Sequence, residues 1–552
     1  MTGILTRRSA LALGAAAALA PVSGRAREPG LLITGGPIYT GRGDGERVEA
    51  VATRGGRIVY AGPLDAAVAA APGARRIDLA GAAAYPGFVD SHAHLTEIGL
   101  REMTLNLEGS ASIADLQARL RAWAMTQPGG PIIGRGWIET HWPDNRFPTR
   151  ADLDAVVSDR PVWLARSDGH AGVANSRALA LAGVTASTVP PAGGDILRDA
   201  RGEPTGLLLD NAKALVEGRL PAPDPAMRRE ALIRADRLYV SRGWTGVHSM
   251  SVGQSDIDSL RALAAAGSLG LRVDNYMDPS SAAEVLATGP SVDASGLVRL
   301  RGIKLYADGA LGSRGAALLA PYSDKPGWTG LELTPHDTLV ALMRRAKSVG
   351  AQVAVHAIGD RGNRLALDAM AEVLGSGHTD RRWRIEHAQI LSSPDLPRFA
   401  AMGVTASMQP SHAIGDLYFA PARLGAARLK GAYAWKSLLA SGAVVCGGSD
   451  APVEKGDPLI EFYAATYRHA LNGFAGADWG LDEAVTRAQA LAMFTAAAAY
   501  AVGREGDLGS LTVGRQADIS VFSRDLMTAP PAEIPGARAV MTLVAGRLVH
   551  GG

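Results

Sequence analysis

A single cysteine, Cys446, stands in 552 residues, so no intramolecular disulfide can form and the fold must be held by its core. It lies in the apolar run Ala443-Val-Val-Cys446, where it reads as a small buried hydrophobe inside a strand, a poor position for a nucleophile. An excess of one charge is also missing. The 56 Lys and Arg against 54 Asp and Glu leave a net +2 without long like-charge blocks, which removes the footprint expected of a nucleic-acid or anionic-membrane binder. No segment reaches the ~20 apolar residues that a bilayer crossing needs. There is no internal repeat, and no low-complexity tract beyond Ala-rich helical stretches such as 495–501. What remains is 47% hydrophobic and 20% charged, enough for a large core and more than one structural unit, with small-molecule chemistry as the expectation.

The chain opens on Thr6-Arg7-Arg8-Ser9, an apolar stretch over 11–22 and small residues to about 26. That order reads as a twin-arginine export signal over 1–26, which predicts a periplasmic or secreted protein that leaves the cytoplasm already folded. The alternative, a retained N-terminal anchor, is disfavoured by the short apolar run. Beyond it, short strand-like runs between Gly-rich turns occupy both ends, at 31–34, 38–39 and 57–60 and again at 517–522 and 540–544. They predict a small β-sandwich built from 27–84 with 504–552.

Between them, at 85–503, apolar strands alternate with Ala/Leu-rich helices. Eight strand candidates fall at 83–89, 246–249, 271–276, 298–306, 352–356, 383–387, 404–408 and 443–447. The class is α/β, and eight units predict a (β/α)8 TIM barrel, whose chemistry sits at the C-terminal strand ends. The gap after the first strand is too long for one helix. It predicts an inserted subdomain at about 100–242 over the barrel mouth, with Pro/Gly-rich connectors at 127–131 and 189–194.

His92 and His94 end the first strand one residue apart, so both imidazoles project from one face and can grip one cation. Further candidate ligands fall at later strand ends: Lys304 on the fourth, His356 on the fifth, His387 on the sixth and Asp450 after the eighth. Taken singly, each has a plainer reading. The histidines could be hydrogen-bonded core or surface residues, Asp450 a helix N-cap and Lys304 an ion-pair partner of Asp308. Six such groups at one barrel mouth favour a divalent metal, Zn²⁺ or a similar first-row ion. No Gly-x-Ser-x-Gly elbow accompanies them, so an activated water is the expected nucleophile.

The segments Pro86-Gly-Phe-Val-Asp-Ser-His-Ala-His94, Lys304-Leu-Tyr-Ala-Asp-Gly-Ala-Leu-Gly-Ser-Arg314, Val355-His-Ala-Ile-Gly-Asp-Arg361, Ile385-Glu-His-Ala-Gln389 and Gly448-Ser-Asp450 resemble the amidohydrolase superfamily, and within it the family 3 branch that includes N-substituted formamide deformylase. The closing Gly509-Ser-Leu-Thr-Val-Gly-Arg-Gln-Ala-Asp-Ile519 is similar to that superfamily's return to its terminal sandwich. The resemblance implies two divalent ions: one on His92, His94 and Asp450, the other on His356 and His387, with Lys304 bridging them as a CO₂-derived carbamate. A mononuclear site with Lys304 as an ion-pair partner is the alternative. Asp450 is the implied proton carrier.

Trp137, His170 and His248 are candidates for substrate contact, and Asp308, Arg314 and Gln409 lie just past strand ends, where supporting or packing work is equally expected. Trp137, Trp142 and Trp163 form either an apolar substrate wall or the insertion's own core. The expected activity is hydrolysis of a C–N bond in an amide, N-formyl compound or cyclic amide. Esterase, lactonase or deaminase chemistry on the same scaffold, or a non-catalytic binding role, are the alternatives. A small molecule is the expected partner, with neither nucleic acid nor a membrane after signal removal, and a homodimer is compatible with the sequence. Replacing Arg7 and Arg8 by lysine should leave the protein in the cytoplasm. Fractionation that still finds mature protein outside the inner membrane would refute the twin-arginine reading.

Overall fold

The computed structural model describes residues 30–476 and 479–551, so the export-signal segment 1–26 lies outside the described residues. Eight parallel strands run in chain order: β1 (Phe88–Ala93), β2 (Trp244–Val252), β3 (Arg272–Met277), β4 (Val298–Tyr306), β5 (Gln352–Ala357), β6 (Arg384–His387), β7 (Thr405–Met408) and β8 (Val445–Gly447). Each pairs with its neighbour in sequence, for example Lys304 opposite Ala354 and His356 opposite Glu386. The strands are buried on both faces, as a parallel sheet covered by helices requires, which is why Gln352-Val-Ala-Val-His-Ala357 shows no polar alternation. The covering helices carry one apolar stripe. That of Asp360–Leu374 runs Ala366, Leu367, Met370 and Val373.

β1 and β8 close the barrel through their loops. The Asp450 N–H donates to the His92 carbonyl at 2.6 Å and the His94 N–H to the Ala451 carbonyl at 2.8 Å. Beneath this seam the buried Asp90 carboxylate accepts the N–H and hydroxyl of Ser449 (2.9 and 2.5 Å), the His92 N–H (3.1 Å) and the Tyr239 hydroxyl (3.0 Å). Only glycine fits at 448, because a Cβ there would stand 2.5 Å from the His92 nitrogen.

The first expected strand, 83–89, divides. Ala83–Pro86 belongs to a second sheet, where it pairs antiparallel with Ile519–Phe522, and Phe88 begins β1. The break falls at Gly87, whose N–H donates to the Asp518 carbonyl (2.8 Å) and whose missing Cβ leaves room for Thr245 Oγ1. That second sheet has eight strands from both chain ends, in the order Arg547–His550, Ala539–Val544, Ile519–Phe522, Ala83–Pro86, Leu31–Tyr39, Arg47–Arg54, Arg57–Gly62, with Arg75–Asp78 paired to Leu31–Tyr39. Ile33, Ile38, Val51, Ile519, Val521 and Leu543 form its core. It is tied to the barrel by Arg272, whose guanidinium meets both carboxylate oxygens of Asp518 at 2.6 and 3.0 Å.

Between β1 and β2 the chain builds a third sheet of six strands: Leu105–Asn106, Ile132–Trp137, Val162–Arg166, Ala171–Ala174, Pro204–Asp210 and Gly194–Arg198. It has its own apolar core, including Leu107, Leu116, Leu120, Leu153 and Leu164. Two contacts set it on the barrel mouth. The Ser167 hydroxyl donates to the Val453 carbonyl at 2.7 Å, just past β8. Asp210 fills the space that Gly309 and Gly315 leave after β4, where a Cβ would approach its carboxylate to 2.8 and 2.6 Å. Among the described residues no helix is long and apolar enough to cross a membrane.

Candidate metal centre

The barrel brings all six expected ligands to one place. Nε2 of both His92 and His94 lies 3.3 Å from Asp450 Oδ1, and Lys304 Nζ lies 3.3 Å from His92 Nε2. The His387 ring stands 4.8 Å from that of His92 and 4.6 Å from that of His356. One ligand atom each from His92, His387 and Asp450 falls within a 4.8 Å group. At His387 and Asp450 the backbone takes positive φ, 72° and 57°, a strained geometry for non-glycine residues that turns each side chain inward at its strand end.

The donor set fits a divalent cation. Burial pushes His94, His356 and His387 below the ordinary imidazole value, so they present neutral nitrogens, the form that binds metal. Burial alone would raise Asp450, but His92 and the neighbouring imidazoles hold its carboxyl well below the usual range and keep it anionic. Asp450 Oδ1 is nevertheless buried with no hydrogen-bond partner among the described residues, as a metal-facing oxygen would be. Lys304 is buried, and burial lowers its ammonium to about 8, within reach of the neutral amine. Its expected alternative partner is occupied elsewhere. Asp308 accepts the backbone N–H groups of Ala317, Ile358 and Gly359 at 2.9, 2.9 and 2.8 Å. Burial pushes its carboxyl up to about 7.

A layer that the sequence reading missed orients these ligands. Glu386 on β6 meets His92 Nδ1 at 2.5 Å, leaving Nε2 to face Asp450. Arg384 holds Glu386 in turn through Nε to Oε1 at 2.5 Å, and also donates to the Ser91 carbonyl and the Ser407 hydroxyl at 2.5 and 2.6 Å. Burial would raise Glu386, but Arg384 and His92 hold it far below the usual carboxylate value. His412, on the helix Pro410–Asp416 after β7, was also missed. Its Nε2 lies 3.6 Å from Asp450 Oδ2 and is buried without a hydrogen bond. Only its closeness to the strand end at Gln409-Pro-Ser-His412 could have marked it.

The remaining candidates separate. A cavity of about 1060 Å³ lies above the cluster, and His170 lines it. Its Nδ1 is 2.6 Å from Asp210 Oδ1, and Asp210 with Asp168 holds it above the ordinary histidine value although burial acts the other way. Gln409 positions a ligand, its Oε1 2.7 Å from His387 Nδ1. His248 is buried below the mouth, 3.0 Å from Arg384 Nη1, and burial with that guanidinium pushes it well below the usual value.

Two candidates are corrected. Arg314 points away from the cavity into a pair with Asp324 at 2.9 Å. Trp137 is fully buried in the inserted unit, its indole N–H on the Leu164 carbonyl at 2.8 Å, with Trp142 packed beside it. The reason is a register shift between Arg135 and Trp137, at Gly136 with φ 106°, which reverses the alternation so that Trp137 turns into the core while Ile133 and Arg135, before the shift, face the cavity. Of the tryptophans considered, Trp163 reaches the cavity wall.

The family model for the amidohydrolase family matches residues 75–550. The chain belongs to the amidohydrolase family. It is 34% identical to the amidohydrolase YtcJ of Bacillus subtilis, over 94% of this chain and 98% of that one. It is 30% identical to N-substituted formamide deformylase of Arthrobacter pascens, over 91% and 94%. A metal-dependent hydrolase from Pyrococcus horikoshii superposes with a TM-score of 0.74 at 28% identity, covering 91% of this chain and 99% of that one. This amidohydrolase thus carries on one barrel mouth the ligand-type residues expected of a metal-dependent hydrolase. If Glu386 holds His92 for metal, Glu386→Gln should weaken retention of bound metal about 10–100-fold, measured by chelator competition and elemental analysis. Unchanged retention would remove Glu386 from that role.

Proposed function

We propose that this amidohydrolase holds two divalent ions, Zn²⁺ or a similar metal, and hydrolyses a C–N bond in a small amide, N-formyl compound or cyclic amide after export to the periplasm or medium. The observation that carries this reading is the buried Lys304 amine, 3.3 Å from His92 Nε2 and, among the described residues, with no carboxylate within ion-pair distance. A lysine there is a poor ligand as ammonium. As a neutral amine it can add CO₂, release a proton and become an anionic carbamate able to join two cations. His92, His94 and Asp450 would hold one ion, His356 and His387 the other, with the Lys304 carbamate between them. When bound, the ions supply Lewis-acid polarisation of the scissile carbonyl and acidify a water.

The chain's own residues do the rest. Asp450 faces the cluster as a carboxylate and is placed to take a proton from the attacking water and pass it to the leaving nitrogen. His170, clamped by Asp210, projects into the cavity where the carbonyl would lie. The inserted unit lines the cavity above the site, where it would limit bulk water around a bound substrate. The similarity to a formamide deformylase supports N-formyl and N-acyl compounds as the first class to test.

A panel of N-formyl, N-acyl and cyclic amides beside esters, given to protein loaded with zinc or manganese and bicarbonate, tests the activity. Hydrolysis confined to esters would overturn the C–N reading. Lys304→Ala should lose activity and metal together, with partial recovery of both on adding a short-chain carboxylic acid; full activity in that variant rules out the bridge. Asp450→Asn should lose about 10²–10⁴-fold in kcat, the range of general acid–base contributions, while its melting temperature stays near the parent's. A folded, metal-replete variant with parental turnover would move the proton transfer elsewhere.

A further inference from the structure

Among the described residues, one arginine of the cavity above the cluster, Arg135, makes no ion pair. Arg101 pairs with Glu102 at 3.1 Å, Arg166 with Glu139 and Asp168 at 2.8 and 2.5 Å, and Arg228 with Asp256 through Nε at 2.7 Å. Arg135 lines the same cavity. Among the described residues it makes one hydrogen bond, from Nη2 to the Ser167 carbonyl at 3.2 Å, and no carboxylate comes within ion-pair distance of it. Its Nε is buried and unpartnered. Burial lowers the guanidinium to about 10, so it stays charged at neutral pH. Glu97, Asp450 and Asp168 act on it only from beyond ion-pair distance, and a buried cation so incompletely offset is costly, which makes a ligand anion the natural complement.

Its position relates it to the reacting end of the cavity. The carbonyl that Arg135 binds belongs to Ser167, the Ser167 hydroxyl donates to the Val453 carbonyl at 2.7 Å, and the Val453 N–H donates to the Asp450 carbonyl at 2.9 Å. The guanidinium is therefore registered, through three hydrogen bonds, to the turn that carries Asp450. The Gly136 shift that buries Trp137 leaves Ile133 and Arg135 facing the cavity from one strand. Ile138, Leu220, Met227, Leu311 and Phe419 supply apolar wall around them.

We propose that Arg135 is a specificity residue that binds a substrate carboxylate, so that the favoured substrates are amides carrying both a carboxylate and an apolar group, as N-acylated apolar amino acids do. This rests on the hydrolase reading given above. A planar guanidinium matches a carboxylate in geometry as well as charge, and the unused Nη1 with the second Nη2 hydrogen offers a two-point contact.

The test uses the metal-loaded enzyme with N-formyl-phenylalanine, both enantiomers, and the matching carboxamides. Binding is read by competition and calorimetry as well as turnover. The parent should bind the better carboxylate enantiomer about ten- to a hundredfold more tightly than its carboxamide, the range of a charge-assisted hydrogen bond. Arg135→Met should bring that ratio near one, and Arg135→Lys should keep part of it, which separates charge recognition from a folding defect. Equal binding of acid and amide in the parent would overturn the proposal, as would a preference that survives in Arg135→Met, since the carboxylate would then be held by another group. If the Arg135-dependent preference holds but no C–N bond in the panel is cut, the hydrolase reading fails and the anion subsite stands.

Discussion

The site depends on the seam between the first and last barrel strands. Asp90 is buried there with four donors on it, two from Ser449 and one each from His92 and Tyr239. Burial raises its carboxyl to about 6, so a charge is held where an open barrel would leave it to water. Through those bonds the His92 and Asp450 backbones are fixed side by side, and their own N–H to carbonyl contact completes the junction. Two candidate ligands from opposite ends of the barrel sequence thereby reach one position. Strands β4, β5 and β6 then have only to present one side chain each, Lys304, His356 and His387.

Around that seam the work divides between two units. The barrel supplies the inward nitrogen and oxygen atoms and, beneath them, the Arg384–Glu386–His92 relay that fixes which imidazole nitrogen is free. The inserted unit supplies His170, Asp210, Arg166 and Arg135 around the cavity. This separation leaves the candidate ligands on rigid strand ends while the other polar groups around the cavity, His170, Asp210, Arg166 and Arg135, belong to a different unit.

Much of this was legible in the chain itself, because a ligand at a strand end follows from the strand pattern alone. His92, His356, His387 and Asp450 each sit at or just after a run of apolar residues, and the run says where the barrel mouth is. For Trp137 the sequence left substrate contact and the insertion's own core both open; the register shift at Gly136, which sends it into the core, has no signal beyond a glycine. Glu386 and Arg384 were missed since partners of ligands are defined by contacts across strands, with no spacing of their own. His412 lies a helical turn beyond its strand. The division at Gly87 depends on Asp518 and Thr245, far away in sequence.

The seam also has a consequence in time. Asp90 and Ser449 are 359 residues apart, and the strand 519–522 that borders 83–86 lies later still. At about 5–20 residues per second of synthesis, the first strand waits on the order of tens of seconds for its partner. During that interval His92 and His94 are already made while Asp450 is not. The cluster therefore cannot be complete before Asp450 is made; it forms late, once most of the chain has left the ribosome.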